Sequence, residues 1–303
     1  MKTHRSAIAI SIGCTLAVAG CSSNGSDGGG ASTAANNTSV TAQKYQPAAK
    51  LVPASVAEAG VLRVGVALGS PPDEFQDKNH KIVGWEVDVV RAAAQTMGLS
   101  VKFVPNSFDS LIPGLQARRF DAAIGQFGVT REREKVVDFV ATLQSNQRFA
   151  ARSDSDIKVT SLDDLCGRSV AVVRGARQYE FAKAQNPKCV QDGKKAIRIG
   201  VFNDDAQAAL SLTSGRSDLY WSGATAVGYF VKTSNERAKV VGSYLKPNPL
   251  GTAMTKNSGM AEAMQAAVQR LMDDGTYQKI MTKWGLSAMA IDKAVVNPSV
   301  AEN

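Results

Sequence analysis

From Gly60 to Trp284 the sequence alternates short apolar runs with amphipathic stretches, and it does so in two series. Residues 62–68, 101–104 and 120–124 read as strands, being apolar, short and bounded by turn residues. Between them Val87, Val90, Ala94 and Met97 fall on one helical face that Gly98 ends, and residues 111–117 read as a short helix. The second series places strands at 169–173, 197–202 and 218–221 and helices at 176–185, 205–212 and 224–232. Strands at 240–241 and 250–255 follow, then a helix with Met260, Met264, Val268 and Leu271 on one face, then a turn-helix unit at 276–284. Strands that alternate with helices form mainly parallel sheets flanked by helices. Two series predict an α/β protein of two lobes. The C-terminal helices have no strands of their own and are expected to pack back on the first lobe. The chain then crosses the waist twice, and residues 147–152 and 250–256 are the expected crossings.

The first twenty residues stand apart from this pattern. A basic start with Lys2 and Arg5 precedes an apolar stretch too short for a comfortable membrane span of ~20 residues, and Ala19 and Gly20 lead into Cys21. These are the parts of a secretory signal, and the end of it resembles the bacterial lipobox, in which Cys21 is acylated and becomes the new N-terminus. Two or three acyl chains would hold the chain on a membrane, whereas one would not. Residues 22–50 are rich in Gly, Ser, Ala, Asn and Thr and contain no Leu, Ile, Phe or Met, so they cannot bury enough to offset their ordering entropy. The expected organisation is a signal peptide at 1–20, a flexible tether at 21–50 carrying lipidated Cys21, lobe one at 51–149, lobe two at 150–249, a return strand and helices at 250–290, and a tail at 291–303. An extracytoplasmic location lets Cys166 and Cys189 oxidise to a disulfide; two reduced thiols are the alternative.

The formal charge is +8, and removal of Lys2 and Arg5 with the signal leaves +6. No run of Lys or Arg exceeds two residues, as at Arg118–Arg119, and acids alternate with bases. That pattern describes a mixed solvated surface and excludes nucleic acid as a partner. There are two histidines, of which His4 leaves with the signal and His80 sits in a polar turn. A histidine zinc site or a Ser-His-Asp triad therefore cannot be assembled. No nucleophile elbow, phosphate loop or dinucleotide fingerprint occurs. The expectation is no catalytic residue, no metal and no cofactor. One segment suits a small polar solute. Thr130 can cap a short helix in which Arg133 lies close to free N–H groups, and an Arg fork beside such donors is a carboxylate receptor. Spacing alone leaves this open against a solvated charged face.

Several segments, in order and spacing, carry a resemblance: Leu62-Arg63-Val64-Gly65, Val83-Gly84-Trp85-Glu86-Val87-Asp88, Phe108-Asp109-Ser110-Leu111-Ile112-Pro113-Gly114-Leu115, Val129-Thr130-Arg131-Glu132-Arg133 and Asp274-Gly275-Thr276-Tyr277. The chain resembles the bacterial extracellular solute-binding proteins of family 3, the polar amino-acid receptors of ABC importers. The resemblance implies a type II periplasmic-binding-protein-like fold that closes its lobes over a ligand. It implies a monomer that is no enzyme, delivers a carboxylate-bearing solute to an ABC permease and ATPase, and meets the membrane only through Cys21, on the outer face of the cell membrane. Other functions on this fold are a sensory lipoprotein and a cyclohexadienyl-dehydratase-like enzyme, with Asp73 or Glu74 as the acid.

Carried over by position, Arg133 matches the arginine that pairs with the ligand α-carboxylate. Phe108 matches an apolar wall, and Gln126 and Gly128 match positions that hold ammonium and carboxylate. Ala176 and Arg177 lie in the turn that opens a lobe-two helix, and Ser222 and Gly223 follow a lobe-two strand. The departures are informative. The acid that usually pairs with the α-ammonium falls on Gly223, the stacking aromatic on Ser70, the following Phe on Asp73, and a hydroxyl on Arg177. Asp73 is the preferred replacement acid, ahead of Glu74. An anionic solute, or an amino-acid derivative without a free primary α-ammonium, is the ligand these departures predict.

Overall fold

The computed structural model describes residues 40–298, so the signal peptide, Cys21 and the final residues 299–303 lie outside it. The described chain opens with α1 (Gln46–Leu51) and α2 (Ala54–Ala59), then β1 (Val61–Ala67), a small hairpin of β2 (Phe75–Gln76) and β3 (Ile82–Val83), α3 (Trp85–Thr96), β4 (Ser100–Asn106), α4 (Phe108–Gln116), β5 (Ala122–Ile124) and α5 (Arg131–Glu134). A long strand, β6 (Val137–Arg152), carries the chain into lobe two. There follow β7 (Ser169–Val173), α6 (Arg177–Gln191), β8 (Arg198–Phe202), α7 (Asp205–Thr213), β9 (Leu219–Gly223) and α8 (Ala224–Thr233). A second long strand, β10 (Ala238–Thr255), leads back to α9 (Met260–Asp273) and α10 (Thr276–Lys283).

Eight of these strands form one sheet in the order β4-β1-β5-β10-β6-β9-β7-β8. At each end the strands are parallel: β4, β1 and β5 in lobe one, β9, β7 and β8 in lobe two. The centre is antiparallel. β10 and β6 pair from Ala238 opposite Arg152 to Thr255 opposite Val137, with register shifts between Tyr244 and Asn248 and at two further places. The lobe-one half of β10 pairs with β5, and the lobe-two half of β6 pairs with β9. The two expected crossings are therefore whole strands, and residues 147–152 and 250–256 already belong to one lobe each. A chain that crosses while hydrogen-bonded needs no Gly- or Pro-rich linker, so composition does not mark the waist.

Each lobe has its own core. In lobe one, Val87, Val90 and Ala94 of α3 and Met97 just after it share a core with Met260, Met264, Val268 and Leu271 of α9, so the C-terminal helices pack on the first lobe as their unpartnered faces require. In lobe two, Phe149, Trp221 and Leu219 pack with Ala182 and Cys189 of α6. Cys166 and Cys189 are bonded, with Cα atoms 5.6 Å apart and a sequence separation of 23, which ties the segment before β7 to the end of α6.

Two segments expected as loose chain belong to the folded body. Residues 46–50 fall in the predicted tether, yet α1 packs on lobe one, with Ala48 fully buried and the Tyr45 N–H donating to Thr96 O at 2.8 Å. In the predicted tail, Ala141 N donates to Val295 O at 2.9 Å and Asn297 N to Phe139 O at 2.9 Å, so residues 295–297 cover the free edge of β6. Both segments are too short to show a period, and both are ordered by hydrogen bonds to strands or helices distant in sequence.

Candidate functional site

The parallel strands of the two lobes run in opposite senses, so that their carboxyl ends face one another, and the turns beyond these ends line a cleft between the lobes, where ligand sites of α/β folds form. The cleft is about 760 Å³ including its open mouth. Ser70 and Glu74 come from the turn after β1, Phe108 from the first residue of α4, and Gln126 and Gly128 from the loop after β5. Lobe two supplies Ala176 and Arg177 at the start of α6, and Ser222 and Gly223 at the end of β9. Nine of the ten ligand residues expected from sequence line this one cleft, and Asp73 does not. The lobes touch around it: Ala206 N donates to Gly69 O at 3.0 Å, Ser70 Oγ to Asp205 Oδ2 at 2.7 Å, and Arg133 Nη2 to Gly175 O at 3.3 Å.

Arg133 is placed by its own short helix. Thr130 caps α5 as expected, its Oγ1 accepting from Arg133 N at 3.2 Å. The guanidinium lies 5.4 Å from the ring centroid of Phe108 and 5.5 Å from that of Phe127, so two aromatic faces fix its plane. It donates to two backbone carbonyls, Gly128 O at 2.8 Å and Gly175 O at 3.3 Å. Among the described residues no carboxylate lies within salt-bridge distance of it. Burial, with the Arg177 charge second, brings its pKa down to about 10, which still leaves it cationic at neutral pH. A guanidinium held by rings and carbonyls, with no acid of its own, has donors left for a ligand carboxylate.

The cleft also carries a buried acidic group. Here the structure reverses the preference for Asp73 over Glu74. Asp73 is fully buried and serves as an internal acceptor for Trp85 Nε1, Gln126 Nε2 and Thr225 Oγ1, the last at 3.0 Å from lobe two. Glu74 faces the cleft, also fully buried, and neither of its oxygens meets an N–H or hydroxyl donor. Gly84 permits this arrangement, because a Cβ there would strike the Asp73 carbonyl. Glu86, in the first turn of α3, accepts from Gln126 N at 2.9 Å. Burial raises the pKa of Glu74 well above the carboxylate range, and the neighbouring Glu86 raises it further. Glu86 has backbone donors and a helix start to hold its charge, so the proton the pair shares rests on Glu74. Asp205 is raised by burial too, but Ser70, Tyr220 and Ser222 already donate to it.

Fold and cleft together define a two-lobed protein that closes on a small polar solute. The family model of bacterial extracellular solute-binding proteins, family 3, matches residues 62–287, and the chain belongs to that family. It is 32% identical over 248 residues to the arginine-binding protein ArgT of Corynebacterium glutamicum, covering 82% of this chain and 81% of the relative. It is 27% identical to the L-cystine-binding protein TcyJ of Escherichia coli over 232 residues, covering 76% and 84%. Among solved structures, an ancestral arginine-binding protein bound to arginine superposes with a TM-score of 0.68 at 34% identity, covering 74% of this chain and 98% of that one. The chain is thus a solute-binding protein of the amino-acid ABC importer class with a type II periplasmic-binding fold. No helix among the described residues is long and apolar enough to cross a membrane.

Sequence reasoning missed two participants. Gln147, within β6 opposite Gly223 of β9, lines the cleft with a buried Oε1 that has no donor. Asp205 latches the lobes through Ser70. Neither stands in a motif; each acquires its role from the strand or helix end on which it sits.

Proposed function

We propose that the cleft binds an amino acid or amino-acid-like acid by its carboxylate and presents it, lobes closed, to an ABC permease and ATPase. The observation that carries this reading is Arg133, a cation clamped between two rings in the cleft with no protein carboxylate to neutralise it. Glu74 gives the far end of the ligand an acceptor. An incoming ammonium or guanidinium would ionise it, releasing the proton shared with Glu86. The arginine-binding relatives support a cationic group at that end. The protein is read as a receptor that binds without transforming its ligand, as a monomer, and as held to the outer face of the membrane through acylated Cys21.

Isothermal titration of purified protein with amino acids tests the site. Arg133→Ala is expected to weaken carboxylate ligands by about a hundredfold or more, because the ligand charge is then buried unpaired. Unchanged affinity in that variant would remove the basis of the reading. Membrane fractionation of a Cys21→Ser variant tests the anchor: the protein is expected to move from the membrane to the soluble fraction.

A further inference from the structure

A second cavity lies in lobe two, between α7 and α8. The two helices lean on the sheet rather than on each other, and a groove of about 720 Å³ including its open mouth separates them. Each turns toward it one stripe with helical spacing, from Ala206 to Thr213 on α7 and from Ala226 to Thr233 on α8. Ala209 and Ala226 are too small to close the gap. Below them the rings of Tyr220 and Phe230 meet edge to face with centroids 5.6 Å apart and form an aromatic floor. Leu210 stands at the rim, 59% exposed, so the fold leaves apolar surface uncovered on both sides of the opening. The size and the apolar lining are those of a small-molecule site.

The two ends of the groove differ. Both helices start at the cleft, just after β8 and β9, and run away from it. At the far end stands Arg237, placed by the turn after α8, where its Nε donates to Ser234 O at 3.0 Å. Among the described residues its Nη atoms meet no acceptor, and no carboxylate lies within salt-bridge distance of it. The acid in the lining, Asp205, is already engaged by Ser70 and Tyr220, so the charge left to a ligand is that of Arg237. At the cleft end the wall comes from lobe one. Pro71 lines the groove, and the Phe75 ring stands 6.5 Å from that of Tyr229.

We propose that this groove is a second ligand site, for a small hydrophobic carboxylic acid whose apolar body lies between α7 and α8 and whose carboxylate pairs with Arg237. An aromatic body matches the floor of Tyr220 and Phe230. A bare anion leaves the apolar stripes uncovered, and a neutral hydrocarbon leaves the guanidinium without a partner. The wall is complete only while Pro71 stands against lobe two, so a ligand here favours the closed arrangement by its contacts with lobe one. Asp205 lines both the cleft and the groove, and the two sites share that wall. Arg133 lies in the cleft and takes no part in the groove.

The test is isothermal titration of the full chain with hydrocinnamate and with hydrocinnamamide, which share one aromatic body and differ in charge. The acid is expected to bind about three- to tenfold tighter than the amide, the effect of one partly exposed charge-assisted pair. Arg237→Gln is expected to bring that ratio to about one. Leu210→Glu, which removes apolar rim and adds a like charge, is expected to weaken the acid by about tenfold. Both positions are exposed, and thermal unfolding confirms that each variant is folded. Arg133→Ala is expected to leave binding of the acid within about twofold. Small-angle X-ray scattering is expected to give a smaller radius of gyration with saturating hydrocinnamate than without it. Loss of binding in Arg133→Ala would put the acid in the cleft and overturn the inference. So would no binding at millimolar concentration, equal affinity for acid and amide, or a ratio untouched by Arg237→Gln. A dimer that Leu210→Glu abolishes would assign the groove to a second copy of the chain and overturn it as well. A radius of gyration unchanged by the bound acid overturns the link to closure.

Discussion

Glu74 and Asp73 are neighbours in sequence with opposite fates. One faces the cleft without a donor, and the other is spent on three donors inside the protein. Nothing in the sequence separates them, because which way each side chain points is decided by the turn after β1 and by the close approach of Gly84. The same holds for Gln126, whose direction follows from its positive φ. By contrast, Thr130 and Arg133 were legible: a cap and a cation three residues on define their own local geometry. The buried acids carry a testable consequence. In the folded protein burial raises the pKa of Asp73 and Glu74 well above their ordinary values and raises that of Asp205 as well. The folded state then binds more protons than the unfolded state, so stability falls as pH rises from the ordinary carboxylate range through the raised values. Asp138 and Asp218 are lowered, Asp138 by hydrogen bonds from Asn297, Lys256 and Asn257 and Asp218 by those from Ser169, against the opposing effect of burial, and their contribution is lost only on acidification below the ordinary range. Thermal melts of the ligand-free protein are expected to show Tm decreasing as pH rises above the ordinary carboxylate range. Glu74→Gln, which keeps a donor toward Glu86, is expected to flatten that slope and raise Tm at the upper pH by roughly 2–4 °C. It is also expected to weaken a cationic ligand by about tenfold or more. A steeper slope in the variant would show that Glu74 is not the buried acid responsible.

At the scale of elements, the parallel strands and the amphipathic helices α3 and α9 were readable because each has one environment along its length. Strands β6 and β10 were read only in pieces because their environment changes as they pass from one lobe to the other. Val240 is exposed, whereas Ala253 and Met254 lie in the core, so no single pattern runs along β10. Helix α1 and residues 295–297 were invisible for a related reason: their partners are remote in sequence. The disulfide belongs at this scale as well. It closes a loop containing β7 and most of α6, the helix that begins with Arg177. Replacing both cysteines by serine is expected to cost about 3 kcal/mol in denaturant unfolding, from the entropy restored to the unfolded chain and the polar hydroxyl placed in the core at position 189. Ligand affinity in the folded variant is expected to stay within about twofold of the parent, since neither cysteine lines the cleft. A large drop in affinity would mean that the bond also sets the position of the α6 start.

For the whole molecule, the described arrangement is the closed one, held by Ala206 to Gly69, Asp205 to Ser70 and Thr225 to Asp73 across the cleft. These bonds are few and polar, so closure without ligand is worth little and the ligand supplies the balance. Small-angle X-ray scattering is expected to give a larger radius of gyration for the free protein than for the ligand-saturated one. Ser70→Ala is expected to shift the free protein further toward the larger value. Identical scattering with and without ligand would show that closure does not depend on it. The two lobes and the return of the C-terminal helices were legible in the sequence, because alternation and unpartnered faces are properties of composition along the chain. The polar groups that form the latch were not, since those hydrogen bonds join residues more than 130 positions apart.

Strands β6 and β10 pass the waist side by side, paired to each other on both sides of their register shifts. Two joined, inextensible backbones behave as a ribbon. A ribbon bends readily out of its plane, resists stretching along its length, and resists sliding of one edge past the other, because sliding breaks the hydrogen bonds between the edges. The lobes are thereby left with one soft degree of freedom, a swing about an axis across the ribbon. A receptor of this build has one path from open to closed, and a transporter that distinguishes the two need sense only a single angle.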